Sequence, residues 1–301
     1  MPATAYAPDT TAAPISLPAR PAIYATTLLL AYLVLSVALI AATLKLHNIA
    51  STAVVITSLV MFPVCVVSAA NILGWASARL FVAVALAIGW FAEEMGSTKG
   101  WFFGAYTYTD VLGPTIGTVP IIIPMMWFVL AYTGYALANL ILWQSPVDEG
   151  DRNTVGEKGE LARAAWSSFI AAMIVTAYDL GADPYLVYVM KAWIMEKTNG
   201  AWFGETVQGF VGWTFIGFVI IFGFRLISRR APHVRATRRT SRASLVPLGI
   251  YGSGVAFQAT FGYPVETRSI AIFAMGIPLL CAIHGWRQWR RSTQSHVQVP
   301  Q

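Results

Sequence analysis

Eight stretches of this 301-residue chain carry no charged side chain, and that spacing of charge constrains the fold more than any motif does. They run over 21–44, 46–78, 80–92, 111–147, 164–178, 206–224, 243–265 and 269–286. A bilayer's hydrocarbon core is crossed by about 20 apolar helical residues, so each stretch is a candidate span. Only 11% of the residues are charged, which leaves little for a water-facing surface. The predicted fold is all-α: a polytopic membrane bundle of about eight transmembrane helices, occupying residues 21–291. Residues 1–20 are rich in Ala, Pro and Thr and lack a basic leader, so they read as a disordered tail before an uncleaved first span. Residues 292–301 read as a second polar tail.

Lys and Arg fix the expected orientation. With eight spans and both termini inside, 15 of the 20 basic residues fall on the cytoplasmic side. The cell membrane is the expected location. The densest basic run, Arg225–Arg242, reads as a topology signal on an anionic leaflet. It lacks the interleaved aromatics that nucleic-acid binding requires, so no nucleic acid is expected. Cys65 and Cys281 each stand alone in an apolar run and read as two core thiols, with no metal-ligand spacing.

Two segments are too rich in aromatics and glycine to be plain connectors: Glu93–Thr118 and Asp179–Trp213. The eight-span order puts both on the outer side, where they can meet and form a site. Lys99-Gly-Trp-Phe-Phe-Gly104 echoes Asn199-Gly-Ala-Trp-Phe-Gly204, a faint internal repeat. Their carboxylates are sunk. Thirteen uncharged residues separate Arg79 from Glu93, and fifteen separate Arg163 from Asp179. At 1.5 Å per residue these make roughly 20 Å of helix against a core of about 30 Å. An acid at membrane depth costs several kcal/mol and by default marks function. The competing reading is a structural pairing with Lys99, Lys191 or loop backbone. Glu93 and Glu94 lie about 100° apart on a helix, so only one can face a given pocket. Pro184 disfavours helix at Asp183, which predicts that the span ends at Asp179 and turns at Asp183. Tyr185–Lys197 then reads as an amphipathic stretch that lies along the interface or re-enters the membrane.

Several chemistries are excluded by residue type. Four scattered histidines do not make a di-iron hydroxylase, no mid-span lysine offers a Schiff base, and there is no phosphate loop, dinucleotide fingerprint or Asp-rich Mg²⁺ motif. No metal and no cofactor are expected. What remains is work that carboxyls and aromatics do unaided. A carboxylic acid kept neutral in an apolar pocket protonates an alkene, aromatic faces stabilise the cation, and water adds with a second carboxylate as base.

On these same residues the chain resembles the membrane carotenoid hydratases, a family often labelled carotenoid biosynthesis protein. The matching pieces are Glu94-x-Gly96, Gly100-x-x-Phe103-Gly104-x-Tyr106-x-Tyr108 and Gly117-x-x-Pro120. Pro124-x-x-Trp127-x-x-x-x-Tyr132, Asp179, Asp183-Pro184, Gly200-x-Trp202 and Phe210-x-Gly212-Trp213 follow. Gly209 stands where the family tends to have Asn. The resemblance implies hydration of the terminal double bond of an acyclic carotenoid end group (lycopene, γ-carotene or a C50 relative) to a tertiary alcohol. It implies a carotenoid or lipid substrate in the membrane, with other enzymes of the pathway as the class of partner. Asp179 or Asp183 would share the acid and base roles with Glu94, and Glu93 is the adjacent candidate. Trp101, Tyr106, Tyr108 and Trp202 would wall the cation site, with Phe103, Trp127 and Trp213 as further substrate contacts. A carrier for a lipid or proton-coupled solute is the rival from another class, and a cyclase or elongase subunit is the rival within carotenoid metabolism.

Overall fold

The computed structural model describes residues 21–45, 50–147, 159–229 and 238–297. The segment 1–20 assigned to a tail lies outside them. Helices α1 (Pro21–Lys45), α2 (Ala50–Leu73), α3 (Trp75–Lys99), α4 (Ile122–Trp143), α5 (Glu160–Tyr185) and α6 (Val207–Ser228) correspond to the first six uncharged stretches. A short α7 (Arg238–Ala243) leads into α8 (Leu245–Phe261). Then α9 (Glu266–Ile270) and a π-helical turn lead into α10 (Gly276–Val297), which carries helix beyond Arg291. Among the described residues, seven helical stretches are long and apolar enough to cross a membrane. The 17-residue α8 is the eighth apolar helix. The chain is thus an all-α, multi-pass membrane bundle.

Helices that are apolar on all sides sort by packing rather than by amphipathicity. Helix α4 is the centre: 78% of its spanning window is buried, against 22% for α1. It packs against α2, α3, α5, α6, α8 and α10. Leu30, Val34 and Val37 of α1 and Ile277 and Leu280 of α10 are exposed, the faces a bilayer would cover. Cys65 is buried, as expected of a core thiol. Cys281 is exposed, and both are free thiols. Position within an apolar run therefore did not decide burial, because in lipid the outer face is apolar too.

At the far end of α6, Arg225 is buried inside the bundle. Its Nη2 donates to Asn139 Oδ1 at 2.7 Å, and its guanidinium sits 4.6 Å from the Tyr135 ring centre. This residue of the basic run is packed inside rather than resting on a leaflet. Arg229 follows at the surface, 3.9 Å from Glu160. Residues 230–237 of the run lie outside the described residues.

The two aromatic loops meet at the opposite end. Strand β1 (Tyr106–Tyr108) pairs antiparallel with β4 (Trp193–Met195), Tyr106 facing Met195 and Tyr108 facing Trp193. Between them in sequence, β2 (Thr115–Ile116) and β3 (Val119–Pro120) form a small hairpin. Glu196 N donates to Ala105 O, Thr109 Oγ1 to Lys191 O, and Gln208 Nε2 to Gly100 O. These bonds lace one loop to the other, which satisfies backbone that could not be left bare at membrane depth. Gly104 and Gly204, the last residues of the two echoed segments, both have φ of 90°.

One prediction fails here. Helix α5 does not stop at Asp179; it continues through Pro184 to Tyr185 and then a π-helical turn to Met190. Proline in a helix orphans the carbonyl four residues back, and that carbonyl belongs to Leu180. Trp202 Nε1 donates to it at 2.8 Å. The second loop thus repairs the break that Pro184 creates. Over Tyr185–Lys197 the chain accordingly passes from the end of the helix through a π turn to the strand Trp193–Met195.

Candidate functional site: an acid chamber under the paired loops

Because α5 stays helical, Asp179 and Asp183 stand one turn apart on the same face. Both line a cavity of about 1170 Å³, counting its open mouth, enclosed by α2, α3, α4, α5, α6 and α8 and roofed by the β1–β4 pair. Glu93 and Glu205 line it as well. All four carboxylates are at most 5% exposed, and among the described residues none forms an ion pair. The pairing with Lys99 or Lys191 is thus not what holds them.

Glu93 and Glu94 divide as helical geometry requires. Glu93 points inward: its Oε1 accepts from Trp127 Nε1 at 2.8 Å, and its Oε2 accepts from Tyr108 at 2.6 Å and from Tyr106. Burial, and then the charge of Glu93, hold both tyrosine phenols well above their ordinary range, so they remain donors. Glu94 points away. Its Oε2 accepts from Thr118 N at 2.9 Å and Thr118 Oγ1 at 3.0 Å, pinning the β2–β3 turn. It does not line the chamber.

The opposite wall is built differently. Asp183 hydrogen-bonds with the side chains of Glu205 and Trp193. Burial, then the neighbouring Asp179 and Asp183, push Glu205 up to about 12, so it carries a proton. A bond between two carboxyls needs such a proton. Three buried acceptor atoms here have no donor: Asp179 Oδ2, Glu205 Oε2 and Gln258 Oε1. Gln258 is held by its own Nε2, which donates to Tyr178 O at 2.8 Å. Two glycines make the room. A Cβ on Gly209 would lie 2.5 Å from Glu205 Oε1, and a Cβ on Gly181 would collide with Gln258 Oε1.

Phe103, Tyr106, Tyr108, Trp127 and Trp213 all line the chamber. Trp127 and Trp213 stack at 4.4 Å, and Phe103 leans on Trp127 at 6.0 Å. Two expected wall residues do not line it. Trp101 is 53% exposed just past the left-handed cap of α3. Trp202 is committed to the Leu180 carbonyl. Glu205 and Gln258 were not singled out from sequence. The available signals were an acid directly before a span and an amide inside an otherwise apolar one. A smaller cavity of loop residues, including Lys197, Thr206 and Gln208, shares Phe103, Tyr106 and Met195 with the chamber. Among the described residues, no group of three or more His, Cys, Asp or Glu side chains is arranged to hold a metal ion.

The model of the carotenoid biosynthesis protein family matches residues 49–281, which contain every chamber residue named above. The chain belongs to that family. A curated relative, the bisanhydrobacterioruberin hydratase of Haloarcula japonica, is 29% identical over 137 residues. That alignment covers 44% of this chain and 41% of the relative's length. No solved structure matches the chain.

Proposed function

We propose that this member of the carotenoid biosynthesis family is a hydratase that adds water across the terminal double bond of an acyclic carotenoid end group. The observation that carries the reading is the unequal chamber: protonated and donor-starved carboxyls on one wall, stacked aromatic rings on the other. Asp183 gives its proton to the less substituted alkene carbon, and the alkene's π pair forms the new C–H bond. Glu205, still protonated, donates a hydrogen bond to the Asp183 carboxylate left behind. The tertiary cation lies against Trp127, Trp213 and Phe103, whose faces attract positive charge. Glu93 anchors that wall by accepting from Trp127, Tyr106 and Tyr108. A water held by Asp179 Oδ2 and Gln258 Oε1 attacks the cation and releases its proton to Asp179. That proton returns to Asp183 one turn away. The sum is alkene plus water, with no redox change and no cofactor.

The family membership and the hydratase relative support this reading, in which water enters by way of the adjoining loop cavity. In the orientation given by the basic residues, the termini are cytoplasmic and the chamber lies toward the outer leaflet.

The test is expression in bacteria accumulating lycopene, γ-carotene or an acyclic C50 carotenoid, followed by chromatography and mass spectrometry of the pigments. The expected product is heavier by one water, and it disappears with Asp183→Asn at equal protein level. A product of unchanged mass bearing a ring would instead make the chain a cyclase. Unaltered pigments with all three substrates, and folded protein in the membrane, would leave the carrier reading.

A further inference from the structure

The acid chamber has a second, chemically different extension. A cavity of about 720 Å³ lies between α1, α2 and α8 and shares Val54, Ser58, Tyr178, Tyr185 and Phe257 with the chamber. The two spaces meet where the Tyr185 and Phe257 rings form an edge-on pair at 5.1 Å. Beyond that pair the walls are mainly apolar, with Leu39, Ile40, Met61 and Phe261 among them.

Beyond the residues shared with the chamber, the hydroxyls of this groove are already paired. Tyr32 and Ser253 hydrogen-bond to each other at 2.7 Å, Ser36 Oγ donates to Tyr32 O, and Thr57 Oγ1 donates to Ala53 O. The chamber wall, by contrast, holds three acceptors that lack donors. A stretch of groove whose hydroxyls are already paired suits a ligand segment that has no hydrogen bonds to offer. Helix α1, which forms one side of it, shares with the last span the lowest burial, and its outer face is apolar.

We propose that this groove between α1, α2 and α8 is the subsite for the long apolar chain of the substrate, whose end group occupies the acid chamber. The ligand is then a linear hydrocarbon chain reached from the bilayer on the α1 side, while water arrives through the loops. This assignment rests on the hydratase reading for its reaction, but not for its geometry.

The test compares Thr57→Trp and, as a rim variant, Leu39→Trp with wild type. Substrates are a long acyclic carotenoid and a short acyclic isoprenoid carrying the same terminal alkene. Thr57→Ser serves as the control that keeps the groove open. Filling the groove should lower kcat/KM for the long substrate at least tenfold, chiefly through KM, and the short substrate by far less. The second readout is retention of the long polyene by purified protein, followed by its visible absorbance. Retention should fall in both tryptophan variants and persist in Thr57→Ser. Equal losses on both substrates, or undiminished retention in folded tryptophan variants, would overturn the groove. Groove-dependent retention by a wild type that hydrates nothing would keep the subsite and discard the hydratase.

Discussion

The two walls of the chamber carry the same functional group and treat it in opposite ways. On the α3 side, three donors converge on Glu93, from Trp127, Tyr106 and Tyr108. On the α5 side, Asp179, Asp183 and Glu205 crowd together and leave acceptor atoms unfilled. A buried acceptor without a donor costs about 1–3 kcal/mol, so a fold keeps one where a ligand completes it. Burial alone does not identify a reacting carboxylate. What distinguishes the two walls is the hydrogen bond that the protein withholds from one of them.

Substitutions separate the two walls, and the largest effect belongs to the α5 side. Asp179→Asn should cut product formation roughly 10²–10⁴-fold, the usual scale for losing a general base. Its melting temperature should hold or rise, because a crowded buried carboxylate is gone. A severe loss of folded protein instead would mean that both walls are structural.

Glu93→Gln should act in the reverse sense. It turns an acceptor oxygen into a donor facing phenol and indole donors, so folding should weaken by about 1–3 kcal/mol. Thermal unfolding in detergent measures this, with a smaller effect on turnover per folded molecule than Asp179→Asn gives.

Glu205 sharpens the contrast through pH. Its folded-state pKa is raised to about 12, so over neutral pH the folded chain holds a proton that the unfolded chain has lost. That contribution to stability is complete below the ordinary carboxylate pKa and declines as pH rises toward about 12, by up to about 1.4 kcal/mol per pH unit. Wild type should therefore unfold more easily at pH 9 than at pH 6. Glu205→Gln should flatten that slope and, by keeping an N–H for Asp183, retain more activity than Glu205→Ala.

Glu94→Gln should change stability by less than about 1 kcal/mol and leave turnover within a few-fold. Glu94 is only half-buried, and it pins a turn instead of lining the chamber. A large loss of activity would move the reacting carboxylate out of the chamber and erase the distinction between the walls.

Much of the architecture was legible in the sequence because a bilayer admits few solutions. Uncharged runs of span length had to become helices, and the basic residues between them had to mark ends. The two aromatic loops could be expected to meet, since two spans separate them and both therefore fall on the same side. The depth of Glu93 and Asp179 followed from counting residues back to Arg79 and Arg163. Those inferences need only the 1.5 Å rise of a helix and the cost of charge in hydrocarbon.

The rest was decided by contacts that spacing along one chain does not encode. Whether Glu93 or Glu94 faces inward depends on the rotation of α3, which Trp127 and the β1 tyrosines set. Whether Pro184 ends a helix depended on Trp202 reaching the orphaned Leu180 carbonyl, 22 residues before it in the chain. Glu205 and Gln258 enter the chamber only because Gly209 and Gly181 yield the space. Hydrophobicity is a sum over residues, so the sequence determined a membrane bundle with sunken acids. Hydrogen-bond satisfaction is a relation between residues distant in the chain, so only the tertiary structure separated the filled carboxylate from the unfilled ones.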